Sequence, residues 1–364
     1  MPVLTRYLAT IYLTRFVFLL ICITAFILSL DLVSSADSIA DRSSGDMAPI
    51  AKYAVLRVPQ ILSETIKYAC LLAALLTLIS LMRHNQLTPI WGGGISQFGM
   101  TWRLAPVAMA IGLFQFAIDY ALVPDSKAAL REWGVVSQDS PQQRNSKEAT
   151  SANWIKVEND IVRIPHGLLQ EGMIRSFVIF QRNSDGGLLS RLDVSLAHLE
   201  NVGWGLEGVT RRSIGGDGEK IGYLSGWGAG FRPKNVGELN IHPRDLAFDR
   251  LLSYVRADAH GTWAPHLYRT WLQVKLAVCL IPFLMVFLVV ALSQRFHRTG
   301  RTDVLFLIGL ALGFAFFITN GIGLALGEVG LLPPFMAGWA ATIGFAAITG
   351  GMAFSREVLH ASDK

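Results

Sequence analysis

The sequence predicts an α-helical polytopic membrane protein, with six transmembrane helices in two groups of three and an all-β domain inserted between the groups. Of its 364 residues, 52% are hydrophobic and only 16% are charged, which is too apolar for a soluble globular protein of this length. Apolar runs of roughly 20 residues, enough for a helix to cross a ~30 Å hydrocarbon core, occur three times on each side of a polar stretch. That stretch, residues 125–268, is rich in turns and alternates apolar with polar residues.

The first region, residues 1–124, contains three predicted spans. The first apolar run is too long for a signal peptide, and two further spans follow it, which favours a membrane helix. Residues 34–57 carry no excess of positive charge and are predicted to form a loop on the outside, and Pro124 is predicted to end the third span. The three predicted spans are residues 8–33, 58–82 and 104–123.

Within the insert, segments of alternating hydrophobicity predict β-strands. Two hairpins are expected, one turning at residues 158–160 and one at residues 183–187. Residues 226–239 are rich in Gly and Pro and are assigned as loop, and residues 246–256 are expected to form a short helix. Short strands at this spacing favour a sandwich or jelly roll over an α/β enzyme domain. The predicted strands are residues 153–157, 160–164, 175–181, 188–199, 203–210 and 220–224.

The last region, residues 269–364, holds the other three predicted spans. The middle one contains two pairs of glycines at four-residue spacing, Gly309 with Gly313 and Gly323 with Gly327, and small residues at this spacing let helix backbones approach closely. The three spans are residues 271–293, 304–326 and 335–354.

Basic residues set the predicted orientation. Arg83, His84 and Arg103 flank the loop between the second and third spans, a dense basic cluster occupies residues 295–301, and Arg356 follows the last span. The positive-inside rule puts all of them in the cytoplasm, so both termini are predicted to be cytoplasmic and the β domain to lie outside. The net charge of +5 is therefore interpreted as membrane anchoring and not as nucleic-acid binding.

The sequence offers no catalytic, metal-binding or ATP-binding constellation, and no cofactor is expected. The eight histidines form no H-E-x-x-H motif, and the glycine-rich residues 215–220 lack the G-K-[ST] ending of a phosphate-binding loop. Energy for any work must come from a partner chain or an ion gradient. Ion-coupled transport typically uses repeated halves and ionisable residues at mid-membrane, whereas no repeat relates the two helix triplets. The ionisable residues Glu64, Lys67, Asp119 and Glu328 lie toward helix ends, where an interfacial or paired role is favoured.

The segment from Arg83 to Ser96 reads Arg-His-Asn-Gln-Leu-Thr-Pro-Ile and then Gly-Ile-Ser at residues 94–96. It resembles the corresponding segment of the permeases of lipopolysaccharide export, LptF and LptG. Residues 327–334, followed by Trp339, resemble the junction between the fifth and sixth helices of that family. Residues 276–296, with Pro282 inside the helix and an Arg at its inner end, are similar to its fourth helix. The resemblance covers essentially the whole chain.

The resemblance implies a subunit of an ABC transporter in the bacterial inner membrane, with the β domain in the periplasm as a jelly roll. The family implies a heterodimer with a homologous second permease, a cytoplasmic ATPase dimer that supplies all ATP hydrolysis, and lipopolysaccharide as substrate. The lipid would be passed to a periplasmic bridge protein of similar β fold. An LptG-type subunit is favoured over LptF. Two alternatives stay open, a permease for a different envelope lipid or lipoprotein and a scaffold that recruits envelope proteins.

The resemblance assigns coupling with the ATPase to a cytoplasmic segment, residues 83–103. A Glu is usual in the family where this chain has Gln86, so a charge-assisted hydrogen bond is replaced by a neutral one and coupling is expected to depend more on shape. The predicted coupling residues are Gln86, Leu87, Thr88, Ile90, Trp91, Gly94, Ile95 and Ser96.

A substrate cavity between the two permeases is expected to be bounded by the first and fifth helices of this chain. Phe26 and Leu30 on one helix, with Phe317 and Leu324 on the other, are the predicted contacts to acyl chains, although residues at this spacing are ordinarily lipid-facing or core. Lys52 and Arg57 are the predicted contacts to substrate phosphates or carboxylates.

Overall fold

The computed structural model describes most of the chain. The described residues are 2–40, 48–94, 97–133, 153–157, 159–164, 169–170, 173–183, 187–200, 203–213, 218–228, 241–256, 263–297 and 301–361. They divide into two compact units, one formed by residues 1–137 with 273–364 and the other by residues 138–272.

The first unit is a helical bundle. Among the described residues, five helical segments are long and apolar enough to cross a membrane, and a sixth span is a pair of helices bent by 50°. The expected polytopic class is therefore confirmed. The helices before the insert are α1 (Pro2–Ala40), α2 (Ala48–Arg83), α3 (Leu87–Gly92), α4 (Gln97–Ala117), a π-helical turn (Ile118–Leu122) and α5 (Val123–Glu132). Those after it are α7 (Pro265–Val278), α8 (Ile281–His297), α9 (Thr302–Glu328) and α10 (Pro334–Ala361).

Two central helices, one from each side of the insert, form the core of this bundle. Helix α2 packs against α1, α8 and α9, and α8 packs against α2, α4, α9 and α10. Nearly all of α8 up to Ser293 is buried, whereas few of the apolar side chains of α1 and α9 are fully buried. An apolar helix surface of this kind requires lipid or another protein around it.

The predicted outside loop at residues 34–57 is wrong, because α1 continues to Ala40 and α2 already begins at Ala48. The two extensions stabilise each other. Tyr53 of α2 is buried against Leu32 of α1, and its hydroxyl is hydrogen-bonded to that of Ser35 over 3.0 Å.

The prediction that Pro124 ends the third span is also wrong. The π-helical turn precedes it, and Pro124 occupies the first turn of α5, which continues to Glu132. A proline is tolerated there because the first residues of a helix need no N–H donor. The predicted start of the β domain at residue 125 therefore falls inside a helix of the first unit.

The fourth predicted span is bent. A turn at Cys279 and Leu280 separates α7 from α8, and Pro282 is the second residue of α8. Helix α4 comes very close to this turn, since a side chain at Gly112 would overlap the carbonyl oxygen of Cys279. The predicted close approach at Gly309 and Gly313 is confirmed, because both glycines of α9 face leucine side chains of α2.

The second unit is built on one antiparallel sheet. Six strands follow in the order β1-β2-β4-β5-β6-β7, and short β3 pairs with β4. Both predicted hairpins and the helix near residue 250 are confirmed, the latter as α6 (Phe248–Arg256). The predicted loop at residues 226–239 lies largely outside the described residues, and a jelly roll stays a prediction. The strands are β1 (Asn153–Val157), β2 (Asp160–Ile164), β3 (Leu169–Gln170), β4 (Met173–Arg182), β5 (Leu188–Leu199), β6 (Trp204–Ser213) and β7 (Glu219–Trp227).

Candidate functional site

The short helix α3 is held firmly against the bundle. After α2, Asn85 takes a positive φ of 53°, and the backbone N–H of Gln86 donates to the carbonyl of Leu81 over 2.8 Å, which closes the helix end. The side chain of Leu87 is then completely buried in the transmembrane core, and Ile90 packs against the same core. Pro89 lies in the first turn of α3, where its missing N–H costs no hydrogen bond.

The predicted coupling residues therefore differ in whether they face the bundle or are exposed. Leu87 has no exposed surface, so its side chain fixes α3 to the bundle and cannot itself contact a partner. The side-chain oxygen of Gln86 accepts a hydrogen bond from the hydroxyl of Tyr7 in α1, over 3.1 Å. Gly94 ends the segment with a φ of 80° and is exposed. Thr88 and Trp91 are placed in α3 by their backbone only, and Ile95 and Ser96 lie outside the described residues.

An ion pair joins the C-terminal part of α1 to the N-terminal part of α2. The Nε and Nη2 groups of Arg57 each donate to one carboxylate oxygen of Asp31 over 3.0 Å, and Tyr53 donates to Asp31 over 2.8 Å. Only 5% of Arg57 is exposed. Arg57 is thus occupied by Asp31 and buried, which argues against its predicted contact with a substrate phosphate. Sequence reasoning missed this pair because 26 residues separate its members.

Lys52 lies at an open groove between the N-terminal part of α2 and α5. Its ammonium group sits 4.9 Å from the centre of the Trp133 ring, a cation–π distance. The groove has a volume of about 620 Å³ and an otherwise apolar lining. Lys52 itself is exposed. The residues that line the groove are Ala51, Lys52, Val55, Leu56, Ala129 and Trp133.

A polar cluster connects α2 to the π-helical turn. The hydroxyl of Ser63 donates to Asp119 over 2.6 Å, and the amide of Gln115 donates to the carbonyl of Ser63 over 3.0 Å. This geometry fits the expected paired role of Asp119. The π-helical turn that presents Asp119 was not foreseen. Such turns are single-turn insertions often found at functional positions.

The predicted acyl-chain contacts lie on two separate helix surfaces. Phe26 and Leu30 on α1 are 64% and 56% exposed. On α9, Phe317 packs edge-on against Tyr68 of α2 at 4.6 Å between ring centres, and Leu324 is half-buried. Among the described helices, α1 packs mainly on α2 and makes no extended contact with α9. The structure of this single chain therefore does not bring the two predicted surfaces together.

Almost the whole bundle, the short helix α3 and the antiparallel sheet all lie within the range of one family match. The family model described as lipopolysaccharide export system permease LptF/LptG matches residues 6–356. The chain belongs to the LptF/LptG permease family. A comparison with curated proteins gave no match.

As a member of the LptF/LptG family, the chain is a multi-pass inner-membrane permease of lipopolysaccharide export. The match includes the bundle, α3 and the sheet, so it extends over both compact units. The family is one of transporter membrane subunits that work in a complex with partner proteins. The described residues contain no group of three or more His, Cys, Asp or Glu side chains placed to hold a metal ion.

Proposed function

We propose that this chain is the LptG-type permease of an ABC transporter that extracts lipopolysaccharide from the inner membrane and passes it to a periplasmic β-jelly-roll bridge protein. A homologous second permease completes the lipid path, and a cytoplasmic ATPase dimer supplies the energy. The observation that carries the proposal is the exposed apolar length of α1 and α9 on a bundle centred on α2 and α8. The family match supports it along the same residues.

The exposed surfaces of α1 and α9 suit acyl chains. Each CH₂ group that leaves water is worth roughly 0.8 kcal/mol, so a lipid with several acyl chains can move from bilayer to an apolar cavity at nearly constant free energy. The costly step is its displacement toward the aqueous side. In the proposal, α1 with Phe26 and Leu30 and α9 with Phe317 and Leu324 face the second permease and bound the cavity that closes in that step.

Helix α3 is the proposed contact with the ATPase. Because Leu87 is buried in the bundle core, a push on α3 is transmitted directly to α2 and its neighbours. The surface left for the ATPase is formed by the backbone and the outward side of the segment from Gln86 to Gly94. Arg83 and His84 at the start of this segment support its cytoplasmic position, and with it cytoplasmic termini and a periplasmic sheet.

Lys52 is the proposed contact with a phosphate or carboxylate of the lipid headgroup. Its ammonium group is exposed and borders the apolar groove, which matches the division of a lipid into charged and apolar parts. Arg57 is assigned a different role in the proposal. It holds the extensions of α1 and α2 together through Asp31.

The test is gentle detergent extraction of the complete chain, followed by identification of the proteins and lipids that remain bound. The proposal expects an ABC ATPase, one homologous LptF-type permease and lipopolysaccharide. Reconstitution of this complex in liposomes should then give ATP-dependent release of lipopolysaccharide to the bridge protein. A different bound lipid would support a permease for another envelope component, and the lack of any ATPase would support a scaffold.

A further inference from the structure

The exposed face of the sheet carries an ordered group of aromatic and basic side chains. Strand alternation separates it from the core, because Val162, Ile179 and Leu192 are buried while the next residue in each strand points the other way. Cross-strand register places the opposite side chains in two neighbouring rows. One row runs through Trp154, Arg163, Val178, Asp193, Thr210 and Lys220, and the other through Lys156, Ile161, Phe180, Arg191 and Arg212.

An aromatic pair lies at one side of this face. The rings of Trp154 and Phe180 are stacked, with 5.6 Å between their centres and 26° between their planes. Trp154 belongs to one row and Phe180 to the other, so the indole reaches diagonally over β2. Half of the Trp154 surface is nevertheless exposed. The pair therefore forms a flat aromatic platform on the outside of the sheet.

Two arginines lie next to this platform. Arg191 is the cross-strand neighbour of Phe180, and Arg212 is the cross-strand neighbour of Arg191. Like charges directly opposite each other in a sheet repel. Asp193 offsets this repulsion only in part, since it accepts from Arg191 over 2.6 Å and lies 3.7 Å from Arg212. One carboxylate is thus shared by two exposed guanidinium groups.

We propose that this basic–aromatic face, defined as Trp154, Phe180, Arg191, Arg212 and Arg163, binds the anionic saccharide part of the lipid that the permease exports. The inference rests on the proposed function and adds a second contact to it. A sugar ring presents C–H groups that stack on a flat aromatic surface. Guanidinium groups bind phosphate or carboxylate through paired N–H donors, and each guanidinium has five of them.

The geometry favours a saccharide over a membrane surface. The Trp154 ring is stacked on Phe180 and runs along the sheet, so it does not project as a side chain that inserts between lipids would. The charged side chains also share the two rows with aromatic and aliphatic side chains and do not form a broad lysine-rich surface. A ligand that is partly flat and apolar and partly anionic fits this arrangement best.

The test measures saccharide binding to the complete permease complex in detergent. The probe is lipopolysaccharide from which the acyl chains have been removed by alkali, used with its phosphates intact and after their enzymatic removal. The double variant Arg191→Gln/Arg212→Gln is expected to bind the phosphorylated probe at least tenfold more weakly than wild type. Trp154→Ala should bind both probes severalfold more weakly than wild type, whereas Trp154→Phe should retain most of the binding.

Two controls separate ligand contact from folding. Arg175→Gln removes an exposed charge from β4 five residues before Phe180, about 16 Å along the strand, and should leave binding unchanged. Arg191→Lys/Arg212→Lys keeps both charges, and its affinity for the phosphorylated probe should lie between those of wild type and the Gln pair. Unchanged binding in the Gln pair, or an equal loss in Arg175→Gln, overturns the inference. The inference is also overturned if the Gln pair binds anionic phospholipid vesicles more weakly but binds the saccharide probe as wild type does.

The same complex distinguishes this inference from the function on which it rests. If wild type extracts lipopolysaccharide from liposomes but does not bind the deacylated probe, the saccharide contact is wrong and the proposed function stands. If wild type extracts no lipopolysaccharide at all, the proposed function itself fails.

Discussion

Arg57 and Asp31 form a bidentate ion pair that joins the N-terminal part of α2 to the C-terminal part of α1. Both oxygens of the carboxylate accept a guanidinium N–H at 3.0 Å, and Tyr53 donates a further hydrogen bond to the same carboxylate. The two side chains are only 6% and 17% exposed, so they are screened far less than surface ions.

Breaking this pair from one side should destabilise the bundle strongly. In Arg57→Leu the Asp31 carboxylate stays largely buried without its cation, and loss of one partner of a buried pair costs about 3 kcal/mol or more. Thermal unfolding of the detergent-solubilised chain should show a clear fall in Tm. Lys52→Gln, which removes an exposed charge five residues away in the same helix, is the control and should unfold at nearly the wild-type temperature. Equal Tm values for the two variants would contradict a structural role for Arg57.

A methyl group at Gly112 should prevent the close approach of α4 to the bend between α7 and α8. It would overlap the carbonyl oxygen of Cys279, and backbone atoms cannot move aside as a flexible side chain can. We expect Gly112→Ala to lower both the yield of folded protein and its Tm. Gly321→Ala in α9 meets no atom within 4 Å and should be neutral or stabilising by about 0.5 kcal/mol, because Ala favours the helix. Comparable losses in both variants would show that the effect is not local packing.

Gln86→Glu should strengthen the association with the ATPase. The carboxylate can still accept the hydrogen bond from Tyr7, and at the proposed interface it adds a charge-assisted contact to the ATPase worth about 1 kcal/mol, or roughly fivefold in affinity. Retention of the ATPase on the immobilised permease over a salt series measures this difference. The gain should disappear at high salt. Gln86→Ala serves as the comparison, and an ATPase retained equally by all three proteins would remove this side chain from the interface.

Lys52→Gln should reduce photocrosslinking of lipopolysaccharide to the groove between α2 and α5. Lys52 is the only cation among the described residues that line this groove. Its loss removes the attraction to a headgroup phosphate, so crosslinking at neighbouring Val55 should fall severalfold. Lys52→Arg keeps the charge and should restore most of the signal. If Lys52→Gln crosslinks as well as wild type, Lys52 is an interfacial anchor and not a headgroup contact.

Local patterns in the sequence were enough to predict the helix triplets and the hairpins. The alternation on both sides of residues 158–160 determines a hairpin by itself, and four-residue spacing of Gly309 and Gly313 indicates a close helix contact. For the predicted outside loop, which was wrong, the deciding interaction was distant in sequence. The charges at residues 34–57 resemble those of a loop until Tyr53 and Arg57 meet Leu32 and Asp31 of the preceding helix.

The geometry around the predicted site residues could not be derived from the sequence. Resemblance placed the coupling segment after α2, yet only the fold shows that Leu87 points inward and Gln86 is bonded to Tyr7. A hydrophobic residue in a short helix can face either a partner or the core, and six residues are too few for periodicity to decide. Lys52 and Arg57 carry the same charge, but Lys52 is exposed and Arg57 is buried, so only the fold distinguishes their roles.

The reliance of α2 on α8 has a consequence for biosynthesis. Roughly 200 residues separate the end of α2 at Arg83 from the start of α8 at Ile281, so at ~5–20 residues per second the ribosome needs on the order of 10–40 s to deliver the second helix after the first. During that delay the nascent α2 has already entered the bilayer with its future contact surface open. A membrane insertase or holding factor that shields this surface would protect the half-made chain from proteolysis, and a chain truncated within the sheet would be degraded.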